Sequence, residues 1–219
     1  VNRENSLRMM KYAIGMRQHM LTFGPPGTAK TKLCDAVFGG ITGARMFQTE
    51  LSMFMDEGAL FGPYDVKRMH DDGALVNRTD GMLPEVEFAR IGEMLDASMP
   101  LLRTLLGALN ERRFRRGKQD IEMPLMTAYC DTNEPPGEYL RSNPKAFAVL
   151  DRVLFMDKFE YLDKHEDVSE MVYRFQRGIT SQATLELPLG TIQIISDLVT
   201  MPPGLIGDRR LVEAYGVAI

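Results

Sequence analysis

The segment from Gly24 to Thr31 reads GPPGTAKT and nearly matches the phosphate-binding pattern G-x-x-x-x-G-K-[ST]. In such a loop, backbone N–H groups point at phosphate oxygens, and the following helix N-terminus adds the positive end of its dipole. Lys30 can bring a mobile positive charge to the β- and γ-phosphates, and the Thr31 hydroxyl can ligate Mg²⁺. The sequence therefore predicts a site for a nucleoside triphosphate, formed by Gly24, Pro25, Pro26, Gly27, Thr28, Ala29, Lys30 and Thr31.

The loop departs from the pattern at one position, because Ala29 stands where glycine usually precedes the lysine. Alanine adds one methyl group and tolerates helical dihedral angles, so we expect the loop to form. The alternative is a strand-to-helix turn that merely contains GPPG. It is disfavoured because an apolar strand precedes the loop and a helical pattern follows it, as phosphate binding requires.

A second motif, needed for hydrolysis, is incomplete. An apolar strand should end in Asp-Glu, where the aspartate orders the magnesium shell and the glutamate orients the attacking water. The candidate FARIGE ends in Glu93, but Gly92 stands at the aspartate position and Arg90 interrupts the apolar run. An ordinary exposed carboxylate is the alternative interpretation of Glu93. The residues that could compensate for the missing aspartate are Asp71, Asp72, Asp96 and Asp131.

Asn133 follows the predicted strand 125–130, and a polar residue there can bond the γ-phosphate or the attacking water. A turn-forming asparagine before Glu-Pro-Pro is the alternative. The segment 112–118 is strongly basic around Phe114. It predicts either contact with nucleic-acid phosphates or an exposed hairpin, and the hairpin is the favoured interpretation.

The elements around these motifs predict an α/β domain with a parallel sheet, over residues 1–158, followed by a small all-helical lid over 159–219. Apolar periodicity predicts strands near 19–23, 45–51, 86–91, 125–130 and 153–156, and a hairpin near 77–83. The helices are predicted at 3–16, 30–38 and 98–112 in the core, and from about 163, at 188–201 and from 208 in the lid.

The composition narrows the class of protein. The 219 residues carry 26 Lys and Arg against 30 Asp and Glu, a net charge of −4, which disfavours a globally basic nucleic-acid surface. Two isolated cysteines and three scattered histidines argue against zinc and against a disulfide framework. No apolar run approaches the roughly 18 residues that span a bilayer and no signal peptide begins the chain, so we expect a cytoplasmic setting. Because the chain starts at Val1 and stops inside a helical pattern, we expect it to be trimmed.

The loop GPPGTAKT, with alanine before lysine, resembles the P-loop of the MoxR family of AAA+ ATPases, particularly its RavA-like branch. Four later segments resemble the same branch in the same order, so the similarity spans almost the whole chain. They are Phe61-Gly62-Pro63, Leu83-Pro84-Glu85, LNERRF at 109–114 and GDRR at 207–210.

This resemblance implies a three-layer P-loop core that binds ATP and Mg²⁺ and works as a ring, with a hexamer expected. Asn133 resembles the sensor 1 asparagine. Arg152 resembles the arginine finger that completes hydrolysis in a neighbouring subunit, with Arg141 the second candidate. Arg209 resembles the sensor 2 arginine, with Arg210 adjacent. For Arg152 the alternative is a solvent-facing arginine, and for Arg209 it is a charged residue in the first turn of a helix.

The family resemblance also implies a chaperone-like remodeller that acts with a von Willebrand A domain protein on a client complex. Two alternatives stay open. The first, raised by Gly92, is a nucleotide-binding assembly module with weak or no hydrolysis. The second is a nucleic-acid-dependent AAA+ motor that uses the arginines of 112–118.

Overall fold

The computed structural model describes residues 3–151, 153–177 and 187–200. The helices are α1 (Glu4–Gly15), α2 (Lys30–Phe38), α3 (Gly58–Phe61), α4 (Val66–Asp72), α5 (Met99–Glu111), α6 (Pro136–Ser142), α7 (Phe147–Leu150), α8 (His165–Gln176) and α9 (Leu189–Thr200). The strands are β1 (Met20–Phe23), β2 (Ile41–Thr42), β3 (Met46–Glu50), β4 (Phe88–Gly92), β5 (Arg113–Arg116), β6 (Gln119–Glu122), β7 (Thr127–Thr132), β8 (Phe155–Lys158) and β9 (Leu187–Pro188). Short 3-10 turns lie at Leu83–Glu85, Met94–Asp96 and Pro144–Ala146.

A five-stranded parallel sheet in the order β3-β4-β7-β1-β8 forms the centre of the molecule. Both β4 and β7 are buried along their whole length, as expected for inner strands of a parallel sheet that is covered on both faces. The predicted parallel α/β fold is confirmed.

Helices cover the two faces of this sheet with separate apolar cores. On one face, α5 packs its leucines against Leu21 of β1 and Ile91 of β4. On the other face, α1 and α2 pack Met10 and Phe38 against Phe88 and Tyr129. Helix α5 begins where predicted because the Ser98 hydroxyl caps it, accepting a hydrogen bond from the Leu101 N–H at 3.4 Å. The result is the three-layer arrangement that the family resemblance implied.

The register of the sheet brings the carboxyl ends of its strands to one edge. Phe23, the last residue of β1, lies beside Thr132 on one side and Lys158 on the other. At the far side of the sheet, Glu50 lies beside Gly92. Segments that follow these strands therefore meet at one edge, where ligands bind in open α/β sheets.

Three local expectations were wrong. The segment 77–83 forms no hairpin; Asn77 instead pairs with Tyr64 in an isolated antiparallel bridge. Strands also do not stop at 158, because β9 pairs in parallel with β2. Asp163 and Glu166 have the spacing of a capping box and so predict a capped helix start, but α8 begins after Lys164 without a side-chain cap.

Two helices follow the last strand of the sheet, as predicted for the lid. Helix α9 packs against α1, with Ile192 buried in the same core as Met10 and an ion pair of 2.7 Å between Arg17 and Asp197. The boundary at 158 stays a prediction, and the third lid helix, expected from 208, lies outside the described residues. Within the described part of the chain, none of the helices combines the length and the apolarity needed to cross a membrane.

Candidate functional site

The phosphate loop, Gly24 to Thr31, connects the carboxyl end of β1 to the first residue of α2. Gly24 has a φ of 143°, and a Cβ at this position would overlap the carbonyl oxygen of Phe159, so only glycine fits. Tyr161 donates a hydrogen bond to the Pro26 carbonyl at 3.0 Å. The segment after β8 thus holds the loop from the outside.

Ala29 takes up a left-handed conformation, with φ 67° and ψ 30°, directly before α2. The loop and α2 both form, as expected, but Ala29 does not use the right-handed helical dihedral angles that alanine tolerates well. A non-glycine residue in this region costs about 1 kcal/mol, because its Cβ approaches the following carbonyl oxygen. The loop conformation therefore requires a left-handed residue at the place where the usual pattern has glycine.

Lys30 is only 6% exposed, and its ammonium group is held by three oxygen atoms. Nζ donates hydrogen bonds to the Gly24 carbonyl (2.7 Å), the Pro25 carbonyl (3.1 Å) and Oδ1 of Asn133 (2.9 Å). Burial lowers the pKa of Lys30, while the nearby carboxylates of Asp131 and Glu93 raise it. The lysine thus points its charge across the mouth of the loop, where phosphate oxygens can replace the carbonyls.

Asn133 connects this lysine to Glu93. Its Nδ2 donates a hydrogen bond to Oε1 of Glu93, while its Oδ1 accepts from Lys30. Glu93 lies directly after β4 with a φ of 50°, and strained backbone of this kind is often found at functional sites. The structure therefore brings together the three polar residues that the sequence proposed from three separate segments.

Arg90, which interrupts the apolar pattern of β4, contacts the last residue of the phosphate loop. Its side chain is 9% exposed and donates one hydrogen bond to Oε1 of Glu50 and another, at 3.2 Å, to Oγ1 of Thr31. Its Nε lies 3.7 Å from Oδ2 of Asp131. The guanidinium is thus buried between two carboxylates and the loop hydroxyl.

Glu50 is a site residue that the sequence reasoning missed. It ends β3, lies beside Gly92 in the register, and its Oε2 occupies the position that a Cβ on Gly92 would take. The available signal was weak: Glu50 is an acidic residue at the end of a predicted strand, but nothing local ties it to Gly92.

Asp131 at the end of β7 is the one proposed substitute carboxylate that the structure places at the loop. It is 4% exposed, and no hydrogen-bond donor among the described residues reaches its Oδ2. Burial raises the pKa of Asp131 to about 6, and Arg90 partly opposes that shift. The other three substitutes, Asp71, Asp72 and Asp96, are exposed and do not line this site.

These residues enclose a cavity of about 260 Å³. Its lining consists of Pro26, Gly27, Thr28, Ala29, Lys30, Thr31, Glu50, Arg90, Glu93, Asp131 and Asn133. Across residues 3–151, 153–177 and 187–200, no group of three or more His, Cys, Asp or Glu could hold a metal unaided. Mg²⁺ beside a nucleotide does not need one, since it is usually held by one or two protein oxygens together with phosphate and water. Thr31, Glu50 and Asp131 offer the hard oxygen donors that Mg²⁺ prefers.

The structure describes one of the proposed arginines. Arg141 is exposed on α6, whereas Arg152, Arg209 and Arg210 lie outside the described residues. The predicted basic hairpin is confirmed as β5 and β6, with Phe114 stacked on Phe61 at a ring distance of 4.7 Å.

The arginines of this hairpin are engaged with carboxylates. Arg113 pairs with Asp120 at 2.9 Å, Arg115 with Glu111 at 3.1 Å, and Arg116 with Glu57 at 2.6 Å. Their charges are therefore largely neutralised within the chain, which favours the structural interpretation over nucleic-acid contact.

Solved structures share this fold at low sequence identity. A Cytophaga hutchinsonii protein with an inferred ATPase assignment superimposes with a TM-score of 0.67 and 16% identity, over 91% of this chain and 59% of that one. NtrX from Brucella abortus, solved in complex with ATP, has a TM-score of 0.58 and 15% identity, over 98% of this chain and 50% of that one. At such identities these structures show the fold alone.

Two uncharacterized proteins of Methanocaldococcus jannaschii are related in sequence. MJ0812 is 29% identical over 172 residues, which is 78% of this chain and 44% of that protein. MJ0079 is 31% identical over 155 residues, which is 71% of this chain and 39% of that protein. The chain thus spans less than half the length of these relatives.

The family match covers residues 1–187 and corresponds to the MoxR domain of MoxR–vWA–β-propeller ternary systems. It includes the phosphate loop, all five strands of the central sheet and the edge that carries Glu93 and Asn133. Sequence match and architecture agree, and the chain belongs to the MoxR family of AAA+ ATPases.

Proposed function

We propose that this chain binds ATP in the 260 Å³ cavity and hydrolyses it to ADP and phosphate. The observation that carries the proposal is the continuous contact from Lys30 through Asn133 to Glu93. It joins a phosphate-binding cation, a polar residue and a carboxylate at the mouth of a loop built to hold phosphates.

In this proposal the loop N–H groups and Lys30 bind the β- and γ-phosphates, with Lys30 exchanging its carbonyl partners for phosphate oxygens. Glu93 accepts a hydrogen bond from the attacking water and receives its proton, while Asn133 holds Glu93 in place. The water oxygen bonds to the γ-phosphorus, and the bond from that phosphorus to the β–γ bridging oxygen breaks. Mg²⁺, when bound with the nucleotide, neutralises the charge that develops on the phosphate oxygens.

The test of hydrolysis is steady-state ATPase activity, measured at several protein concentrations for the wild type and for Glu93→Gln. We expect Glu93→Gln to lower kcat about a hundredfold with little change in nucleotide affinity, because the amide cannot take the proton. Glu138→Gln is the matched control, since Glu138 is an exposed glutamate on α6 outside the site. Equal rates for wild type and Glu93→Gln would instead support an assembly module that binds nucleotide without turning it over.

Assembly and partners are further parts of the proposal. By family resemblance the chain works in a ring, with a hexamer expected, in which Arg152 reaches the nucleotide of a neighbour and Arg209 belongs to the lid. The family description names vWA and β-propeller components, which supports a vWA-domain protein as partner. A chaperone-like role on a client complex is proposed from the family resemblance alone. Assignment to the RavA-like branch, a cytoplasmic location and the identity of the client are likewise proposals.

A concentration-dependent ATPase rate tests the ring. We expect the rate per subunit to rise with protein concentration in the wild type, and to stay low and flat in Arg152→Ala, because that variant cannot complete its neighbour's site. Arg141→Ala tests the second candidate for the arginine finger, and Lys145→Ala, which removes an exposed cation nearby, is the control for a general loss of surface charge.

A further inference from the structure

The two departures of β4 from the family pattern, Arg90 and Gly92, are linked through one carboxylate. The Oε2 atom of Glu50 occupies the place where the side chain of residue 92 would begin. An acidic side chain at residue 92 and Glu50 in its present position therefore exclude each other. Because residue 92 is glycine, the carboxylate of Glu50 on the neighbouring strand can enter this space.

An ion pair with Arg90 holds the Glu50 carboxylate in this position. A buried guanidinium requires paired acceptors, since an unpaired charge in this environment is strongly destabilising. Arg90 donates to Oε1 of Glu50 and to the Thr31 hydroxyl, so one side chain joins the carboxylate to the phosphate loop. The other oxygen, Oε2, faces Gly92.

We propose that Glu50 replaces the missing acidic residue of β4, with Arg90 as its positioning residue, and that Glu50 orders the water shell of the Mg²⁺ that accompanies the nucleotide. The inference rests on the proposed function, because it presumes that the cavity binds a Mg²⁺–nucleotide complex. Asp131 lies on the other side of Arg90 and does not fill the space of residue 92, so it is a second carboxylate and not the replacement.

The experiment measures the dissociation constant of the fluorescent nucleotide mant-ADP in the presence of Mg²⁺ and in EDTA. For the wild type we expect binding about tenfold tighter with Mg²⁺, and for Glu50→Gln we expect that ratio to fall to about one. Gln48→Ala is the matched control, because Gln48 is exposed on the same strand and the same face. It keeps the wild-type ratio.

A swap of the carboxylate between strands separates this role from a structural one. Glu50→Ala loses the Mg²⁺ effect, and Gly92→Asp alone fails to improve it, because its side chain competes with Glu50 for one space. The double variant Glu50→Ala, Gly92→Asp regains the ratio to within about threefold of the wild type, since the carboxylate returns to its usual strand. Circular dichroism confirms that each variant is folded.

Three results would overturn the inference: an unchanged ratio in folded Glu50→Gln, no recovery in the folded double variant, or a wild-type affinity that is equal with Mg²⁺ and in EDTA. The last would mean that the Arg90 guanidinium stands in for the metal. Failure of the proposed function is a different result, in which the wild type does not bind mant-ADP even with Mg²⁺.

Discussion

The phosphate loop and the acidic edge, defined as Glu50, Glu93 and Asp131, face each other across one cavity but are built in different ways. The loop consists of eight consecutive residues between β1 and α2. The acidic edge takes its residues from the ends of β3, β4 and β7. One is a local motif, and the other exists only because three strands lie side by side.

This difference has a physical reason. The loop depends on the backbone dihedral angles and N–H directions of successive residues, so its function cannot be moved to another segment. A carboxylate has only to reach a point in space, and side chains from neighbouring parallel strands can reach the same point. Part of the acidic edge can therefore shift from β4 to β3, whereas the loop cannot.

The largest effect should come from breaking the loop at Lys30. We expect Lys30→Ala to weaken mant-ADP binding more than a hundredfold, about 3 kcal/mol. The variant loses the buried ammonium group, which would otherwise donate its hydrogen bonds to phosphate oxygens in place of the loop carbonyls. Lys32→Ala, two residues further along α2 and exposed, should leave binding unchanged. Equal affinities of the two variants would contradict the loop assignment.

The strand that carries the loop should respond to acid in the opposite sense to the acidic edge. His19, before β1, has Nε2 at 3.0 Å from the Leu109 carbonyl, and its Nδ1 accepts from the Ala128 N–H at 3.0 Å. Burial lowers the pKa of His19 from 6.5 to about 4. The unfolded chain thus binds the proton first, and the contribution of His19 to stability is lost as pH falls from 6.5 to 4.

Asp131 behaves in the opposite way, because its pKa is raised on folding. The folded chain binds the proton more tightly than the unfolded chain, so the contribution of Asp131 to stability falls as pH rises from about 4 to about 6. Urea unfolding of wild type and His19→Gln isolates the histidine, because glutamine does not titrate. We expect the difference in unfolding free energy between them to shrink by about 2 kcal/mol from pH 7 to pH 5. A difference that is constant with pH would show that His19 does not titrate in this window.

A smaller effect is expected at Asn133, which joins the two regions. Asn133→Ala removes the contacts to both Lys30 and Glu93, so we expect kcat of ATP hydrolysis to fall about tenfold, or about 1.4 kcal/mol. Nucleotide affinity should change less, because the loop is intact. Glu134→Ala, at the next residue, is the control, and an equal loss there would assign the effect to the turn.

The smallest effect concerns the backbone of the loop. Because Ala29 is left-handed, we expect Ala29→Gly to raise the free energy of unfolding by up to about 1 kcal/mol, while mant-ADP affinity stays within about twofold. Urea unfolding and fluorescence titration measure the two quantities. Destabilisation would mean that the alanine methyl group contributes more by packing than its backbone strain costs.

Much of the fold could be predicted from the sequence because its signals are local. The apolar run before Gly24 and the periodicity after Lys30 identify β1 and α2, and Ser98 marks the start of α5. The segment 77–83 could not be assigned this way. Asn77 pairs with Tyr64 and bonds Gln119, and neither contact leaves a pattern within the segment.

The sequence by itself determined the phosphate loop, the candidate roles of Glu93 and Asn133, and the family, since each depends on neighbouring residues or on motif order. Only the tertiary structure decided that Arg90 and Gly92 form one arrangement with Glu50, and that Asp131 lies at the site while Asp71, Asp72 and Asp96 do not. Residues 50 and 92 are adjacent through the register of β3 and β4. Strand register depends on the packing of the whole sheet, and no short segment of sequence encodes it.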